Sequence, residues 1–272
     1  MIRILLRRSL MATLAAAATS LPASAQTKQS ENGEKFDWAA RMPAGSVIRV
    51  RNVNGSVDVD GASGDQVSVH GEKQWRRGDP TWVRIDVMKD GDNVTICALW
   101  NEDDTCDERG YHSHDRGNRE RRKNNDVSVH FTLKVPKGVK VDANTVNGSV
   151  EVRGVTSEVH ASTVNGRVEA ASTGGPVFAA TVNGDVEARM EQLPGNADLH
   201  FETVNGSITV DFPNKLDAEV DMETVNGAIH SDYPLTVSGR ISPKHIRATV
   251  GAGGRRIHFT TVNGSITLRK LN

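Results

Sequence analysis

Residues 101–125 bring together several residue types that can bind a metal ion. Asp107, His112 and His114 lie there among further acidic side chains, and imidazole and carboxylate groups are ordinary zinc ligands. The two histidines are two positions apart, so a strand would place both on one face. The segment has neither a His-Glu-x-x-His nor a Cys-x-x-Cys spacing. We therefore predict a solvated charged loop without a metal site, in which these three residues are the candidate ligands if one forms.

A second set of residues has the chemistry of a glycosidase, which uses two carboxyl groups on one face of a site. The candidates are Glu151, Glu169, Asp185 and Glu187. Three arginines alternate with them: Arg153, Arg167 and Arg189. Opposite charges that alternate on a solvated sheet face pair with each other. The chain also lacks the Gly-x-Ser-x-Gly pattern of serine hydrolases. We predict no catalytic residues, no cofactor and no enzymatic activity.

The overall charge gives no reason to expect nucleic acid as a partner. The chain has 33 Lys and Arg against 34 Asp and Glu. A chain with this balance has no net field that would recruit a polyanion.

The first 25 residues have the pattern of a secretory signal peptide. Arg3, Arg7 and Arg8 form a basic start, residues 10–21 are mostly apolar, and Ala23-Ser24-Ala25 is a small-residue cleavage site. The Arg7-Arg8 pair leaves both the general and the twin-arginine export routes open. No later segment is apolar for 18 residues. The sequence therefore predicts a periplasmic or secreted protein that is not transmembrane after cleavage.

Cysteine usage agrees with export. The chain has two cysteines, Cys97 and Cys106. Two cysteines close in sequence favour a disulfide in an oxidising compartment.

The feature that organises the chain is a repeated Thr-Val-Asn-Gly motif. Its asparagines are Asn147, Asn165, Asn183, Asn205, Asn226 and Asn263, and its glycines are Gly148, Gly166, Gly184, Gly206, Gly227 and Gly264. An earlier copy, residues 52–57, lacks the leading Thr, and residues 236–241 hold a degenerate copy. The first five asparagines are 18, 18, 22 and 21 residues apart. A period of this size is typical of a solenoid.

Within each repeat, the alternation of apolar and polar residues predicts which side chains face the core. The residues two, four and six before the Asn are Thr and apolar residues, whereas those between them are polar. We therefore expect the Thr and Asn side chains to face inward and to stack on their copies. Glycine supplies the positive φ of a corner. The Val of the motif falls at one of the alternating positions that are otherwise polar and should point away from the core. There it either covers the corner or forms an exposed Val ladder.

These repeats predict an all-β fold, a parallel β-helix or β-solenoid with coils of about 18–22 residues, preceded by a strand-rich N-terminal part. The expected boundaries are a signal peptide at 1–25, a flexible leader at 26–42, a strand region at 43–138 with the charged insertion 101–125, and the repeat solenoid at 139–272. The last two form one continuous unit, residues 43–272. A hexapeptide helix is excluded because no aliphatic residue recurs every six positions.

Several motifs together resemble the putative-adhesin β-helix family of bacterial exported and envelope proteins. They are the repeated Thr-Val-Asn-Gly, the Val-Pro-Lys-Gly turn at 135–138, the early copy at 52–57 and the closing stretch 251–268. The resemblance covers residues 43–270 and implies a β-helix-like fold and an envelope or secreted location. It implies no reaction and no catalytic residues.

The predicted function is that of a non-catalytic cell-envelope protein, an adhesin-like or structural binding module that uses the surface of the solenoid. Its partner would be an envelope protein or a glycan, and it could self-associate through the solenoid ends or the Val ladder. The alternatives are a periplasmic domain that senses a ligand or metal through the insertion, and a glycan-active β-helix enzyme.

Overall fold

The computed structural model describes residues 26–29, 34–100, 104–107, 110–113, 125–237 and 242–271. The strands of this part are β1 Gln26–Gln29, β2 Lys35–Arg41, β3 Val47–Arg51, β4 Val57–Ala62, β5 Gln66–Gln74, β6 Arg84–Asp90, β7 Asn93–Leu99, β8 Thr105–Asp107, β9 Gly110–His112, β10 Ser128–Pro136, β11 Lys140–Asn144, β12 Val150–Val155, β13 Val159–Ser162, β14 Val168–Ser172, β15 Val177–Ala180, β16 Val186–Met190, β17 Leu199–Glu202, β18 Ile208–Phe212, β19 Ala218–Asn226, β20 Ile229–Ser231, β21 Thr236–Val237, β22 His245–Val250, β23 Arg255–Asn263 and β24 Ile266–Lys270. A short 3-10 turn covers Pro80–Trp82.

Two large sheets face each other, and each coil of the chain gives one strand to each sheet. Sheet A has the order β1-β2-β5-β10-β4-β12-β14-β16-β18-β24-β20, and sheet B has the order β21-β22-β19-β23-β17-β15-β13-β11-β3-β7-β6. The central strands of both sheets are parallel, and equivalent residues pair, as in Val150 with Val168 and Val168 with Val186. The predicted all-β parallel solenoid is confirmed.

The order of the coils in space differs from their order in the chain at both ends. The last coil, β23 and β24, lies between β17–β18 and the earlier β19–β20. At the other end β7 and β10 lie outside β3 and β4. The displaced coils leave room for antiparallel strands, β22 beside β19 and β5 beside β10, which cover the parallel stack. Three of the four outermost described strands, β1, β20 and β21, are only two to four residues long, and a short edge strand limits pairing with another chain.

One hydrophobic core runs between the sheets, from Phe36 to Leu268. It is built mainly of Val, Ile and Ala at the inward-facing positions of the strands. Near the C-terminal end, the ring of Phe201 stacks on that of Phe259. The small Val, Ile and Ala side chains fit the narrow space between the two facing sheets.

The expected flexible leader differs from the structure. Residues 35–41 form β2, which pairs antiparallel with β5. Phe36 and Trp38 of this strand are 2% exposed. They alternate with polar residues in a single short stretch, and the apolar period-2 signal is too brief there to predict a strand from the sequence.

The corner of each coil also differs from the expectation, because the Asn side chains face outward. In the copy at 203–208, Thr203 and Ile208 are buried, whereas Val204 and Asn205 are exposed. The chain bends directly after the Thr, so the alternation of the preceding strand does not continue to the Asn.

Outward placement does not leave the amides unpaired. Each Asn Nδ2 donates to the Oδ1 of its neighbour, as Asn165 does to Asn147 and Asn205 does to Asn183, both at 2.8 Å. The ladder contains Asn54, Asn147, Asn165, Asn183, Asn205, Asn263 and Asn226 in this order. Beneath it the buried Thr hydroxyls donate to glycine carbonyls one coil away, for example Thr203 to Gly184 at 2.9 Å.

The glycines are required mainly because adjacent coils come very close at the corner. A Cβ on Gly184 would overlap the carbonyl oxygen of Gly166, and one on Gly206 would overlap that of Gly184. Gly206, Gly227 and Gly264 have no φ in the left-handed region, so positive φ does not explain these positions. At the same place Gly184 N–H donates to Asn205 O at 2.9 Å.

We expect Gly184→Ala to destabilise the fold by about 3 kcal/mol, the scale of a steric insertion into a packed site. The matched control is Gly64→Ala, because a Cβ on Gly64 meets nothing within 4 Å. That control should stay within about 0.5 kcal/mol of the wild type. Urea unfolding of the variants measures the difference, and equal midpoints would contradict the close approach.

We expect Asn205→Ala to lower the free energy of unfolding by about 1 kcal/mol for each amide hydrogen bond lost. Asn205 donates one such bond and accepts another, whereas Asn226 at the end of the ladder makes one. Asn226→Ala should therefore cost about half as much. Thermal unfolding of both variants tests this, and unchanged melting temperatures would show that the exposed ladder does not stabilise the protein.

Candidate functional site

The outer face of sheet A carries the carboxylates that the sequence offered as catalytic candidates. Arg167 lies 2.5 Å from Glu187 and 3.6 Å from Glu169, and Arg153 contacts Glu151. The hydrogen bond to Glu187 raises the pKa of Arg167 above its usual range. Asp185 accepts a hydrogen bond from the backbone N–H of Ser207 at 2.8 Å. Glu151, Glu169 and Glu187 are therefore paired with arginines on an open sheet surface, whereas Asp185 is held by a backbone hydrogen bond.

The same charge pairing continues at the N-terminal end of this face. The Lys134 ammonium donates to Asp60 at 2.9 Å, and Arg153 lies 3.5 Å from the same carboxylate. The hydrogen bond from Lys134 holds the pKa of Asp60 below its ordinary value. A glycosidase acid needs a raised pKa, so Asp60 is not suited to that role.

Part of the charged insertion packs on the outer face of sheet B. Strands β8 and β9 form a two-stranded hairpin, and a disulfide joins Cys106 of this hairpin to Cys97 of β7. Both cysteines are buried beside Leu99, with Tyr111 packed against them. The disulfide thus fixes the hairpin over the end of sheet B.

Of the three candidate metal ligands, Asp107 and His112 lie in the described part of the insertion. Within the hairpin His112 Nε2 lies 3.0 Å from Asp107 Oδ1, and both groups are about half exposed. His114 lies outside the described residues. Over the described ranges of the chain, no three His, Cys, Asp or Glu side chains are grouped so that they could hold a metal ion.

Beyond the hairpin, the outer face of sheet B carries a row of rings on successive coils. His160 stacks on Phe178, with ring centroids 4.3 Å apart and an interplanar angle of 17°. The next two coils contribute His200 and His258, whose centroids are 6.1 Å apart. Strand register places these four residues side by side, so the row follows the axis of the solenoid.

A groove opens at the C-terminal end of this row, with a cavity volume of about 730 Å³. Two ion pairs border it: Arg256 lies 3.0 Å from Asp198, and Arg247 lies 3.1 Å from Asp221. Its polar lining comprises Asp198, His200, Glu219, Asp221, Arg247, Thr249, Arg256 and His258.

The groove offers hydrogen-bond donors and acceptors in close alternation. Asp221 already accepts from Arg247 and contacts His245 Nε2 at 2.8 Å, and Thr260 Oγ1 lies 2.8 Å from His258 Nε2. Guanidinium groups donate hydrogen bonds, carboxylates accept them, and each neutral imidazole has one donor and one acceptor nitrogen. The arrangement can bind a ligand that carries many neutral hydroxyl or amide groups.

Sequence reasoning did not identify this groove. His160, His200 and His258 occupy the same outward position of three repeats, and this recurrence was the available signal. The sequence alone does not place Asp221 and Arg247 in the site. The groove forms because β23 lies between β17 and β19 in the sheet, whereas chain order would place it after β19.

The described part of the chain includes no helix that is long and apolar enough to span a membrane. Residues 1–25, the expected signal peptide, lie outside the described ranges.

The solved structures that are similar to this chain include two proteins of low sequence identity. A putative cell adhesion protein from Clostridium sporogenes is 8% identical, with 88% of this chain and 100% of that chain covered and a TM-score of 0.44. A putative adhesin from Bacteroides fragilis is 12% identical, with 89% and 99% covered and a TM-score of 0.33. Comparison with curated proteins gives no significant match.

A family model gives the firmer assignment. The model described as Toastrack DUF4097 matches residues 120–269, which is more than half of the chain. This segment runs from the end of the charged insertion through β24, so it includes the Thr-Val-Asn-Gly corners from Asn147 onward and the groove. The chain therefore belongs to the Toastrack DUF4097 family.

Proposed function

We propose that this protein is a non-catalytic, exported cell-envelope protein, an adhesin-like binding module that holds a glycan in the groove on the outer face of sheet B. The observation that carries the proposal is the groove between His200, His258 and the ion pairs of Asp198 and Asp221. A solenoid presents such a surface on a rigid stack of coils.

The charges of the groove favour an uncharged ligand with many hydroxyl groups. Acidic and basic side chains alternate along it, and each of the two arginines is paired with an aspartate. A polyanion or polycation would meet groups of its own sign at every second contact. Sugar hydroxyls both donate and accept, so they match alternating partners without burying a net charge.

The proposal of export rests on the N-terminal pattern and on the disulfide. Residues 1–25 have the composition of a signal peptide, and Cys97 and Cys106 form a disulfide, a bond that persists in oxidising compartments. Glycans of the cell envelope are ligands that a protein in this location would meet.

The proposal that no reaction occurs rests on the candidate carboxylates. Glu151, Glu169 and Glu187 are spread over successive coils of an open sheet and contact arginines. Glycoside cleavage needs one carboxylic acid and one carboxylate on either side of a bound sugar, and a flat surface does not enclose one.

The test measures binding of the purified protein to a panel of envelope polysaccharides by calorimetry. We expect the double variant His200→Ala/His258→Ala to weaken binding at least tenfold, because it removes the two imidazoles of the groove. The matched control is Thr209→Ala/Thr267→Ala, which changes the same two coils on the outer face of sheet A and should bind like the wild type.

Two results would contradict this function. Binding that is equally strong in both double variants would exclude the groove as the binding site. Release of reducing ends from any polysaccharide, if it disappears in Glu169→Gln, would show an enzyme that acts on the face of sheet A.

A further inference from the structure

A second surface, distinct from the groove, lies along the corners of the coils. We define the Val–Asn ridge as the outward Val and Asn side chains of successive corners. Its valines, in spatial order, are Val53, Val146, Val164, Val182, Val204, Val262 and Val225. Five of them are large apolar side chains exposed by 37–56%.

The fold does not need an apolar side chain at these positions. The hydrogen bonds of the corner use only the backbone of the valines, as when Asn183 N–H donates to Val164 O at 2.8 Å. Thr has the same branched shape and would expose a hydroxyl instead. A continuous exposed apolar strip on a solvated protein marks an interaction surface.

We infer that the Val–Asn ridge is the interface through which two copies of this chain associate. Coils in each copy repeat about every 4.8 Å, so a second copy has side chains at the same spacing along the whole ridge. The valines of one copy then pack against those of the other along the whole ridge, as in the dry interface of paired sheets. A partner of another fold would match this spacing only locally.

The surroundings of the ridge also permit self-pairing. Beside its central corners Ser162, Ala180 and Ser207 are small and uncharged, whereas the exposed Arg167, Asp185 and Glu202 carry charges of both signs, so no charge of a single sign repels a second copy. Val182 is the fourth of the seven valines. In an isologous pair, where the same patch is used on both copies, a two-fold axis that brings the ridges into full overlap passes near this residue.

The size of the ridge sets the expected affinity between the two copies. Six steps of about 4.8 Å make it roughly 29 Å long. Two or three residues of width give a contact smaller than the roughly 800 Å² per partner of a standard interface. We therefore expect a reversible dimer with a dissociation constant in the micromolar range.

Analytical ultracentrifugation at 5–200 µM (about the range needed for a micromolar equilibrium) tests the inference. The wild type should shift from monomer to dimer across this range. Val182→Asp, which puts two like charges at the centre of the pair, should remain monomeric. Thr209→Asp on the outer face of sheet A is the matched control and should dimerise like the wild type.

A cross-linking experiment tests the geometry independently. Since the chain has only Cys97 and Cys106, which are joined to each other, a new cysteine reacts without competition. Val182→Cys should give a covalent dimer on mild oxidation, whereas Thr209→Cys should not. Circular dichroism of each variant checks that it is folded.

A wild type that stays monomeric throughout the range would overturn the inference. A dimer that persists in Val182→Asp, or a covalent dimer formed equally by Thr209→Cys, would place the interface elsewhere. Neither result bears on glycan binding in the groove, because the groove lies on the broad face of sheet B and the ridge lies on the corner.

Discussion

The close approach of adjacent coils at the Thr-Val-Asn-Gly corner is the constraint on which the rest of the structure depends. The glycine of one coil lies directly against the glycine carbonyl of the next, and no other residue fits there. The buried Thr hydroxyl and the backbone N–H of the glycine bond to neighbouring coils at the same place. Because each corner fixes its neighbour, both sheets keep their register, and equivalent side chains stack along the solenoid.

This register determines what the surfaces can do. On sheet A it aligns carboxylates with arginines, which neutralise each other. On sheet B it aligns His160, Phe178, His200 and His258, and the groove forms where Asp221 and Arg247 are added. At the corner it turns single exposed valines into a continuous ridge. A short motif that is structural in origin therefore produces the surfaces available for binding.

The sequence predicts the coil length, the parallel pairing and the buried Thr, because these follow from the recurrence of the motif and from the alternation before it. It does not predict the outward direction of the Asn, since the bend after Thr203 interrupts the alternation at a point that the residue types do not mark. The order of the coils in space is a second feature that the sequence does not predict. Spacing along the chain places Asn226 beside Asn205, whereas the structure places Asn263 there. The antiparallel strand β22, which makes this exchange possible, depends on contacts far apart in the sequence.

The most direct test of this account is the proximity of the Asn side-chain amides, measured by nuclear Overhauser effects in protein labelled with nitrogen-15. We predict a cross-peak between the amides of Asn205 and Asn263, and another between those of Asn263 and Asn226. A cross-peak between Asn205 and Asn226, with none from Asn205 to Asn263, would show that the coils stack in chain order and would contradict both the inserted last coil and the groove built on it.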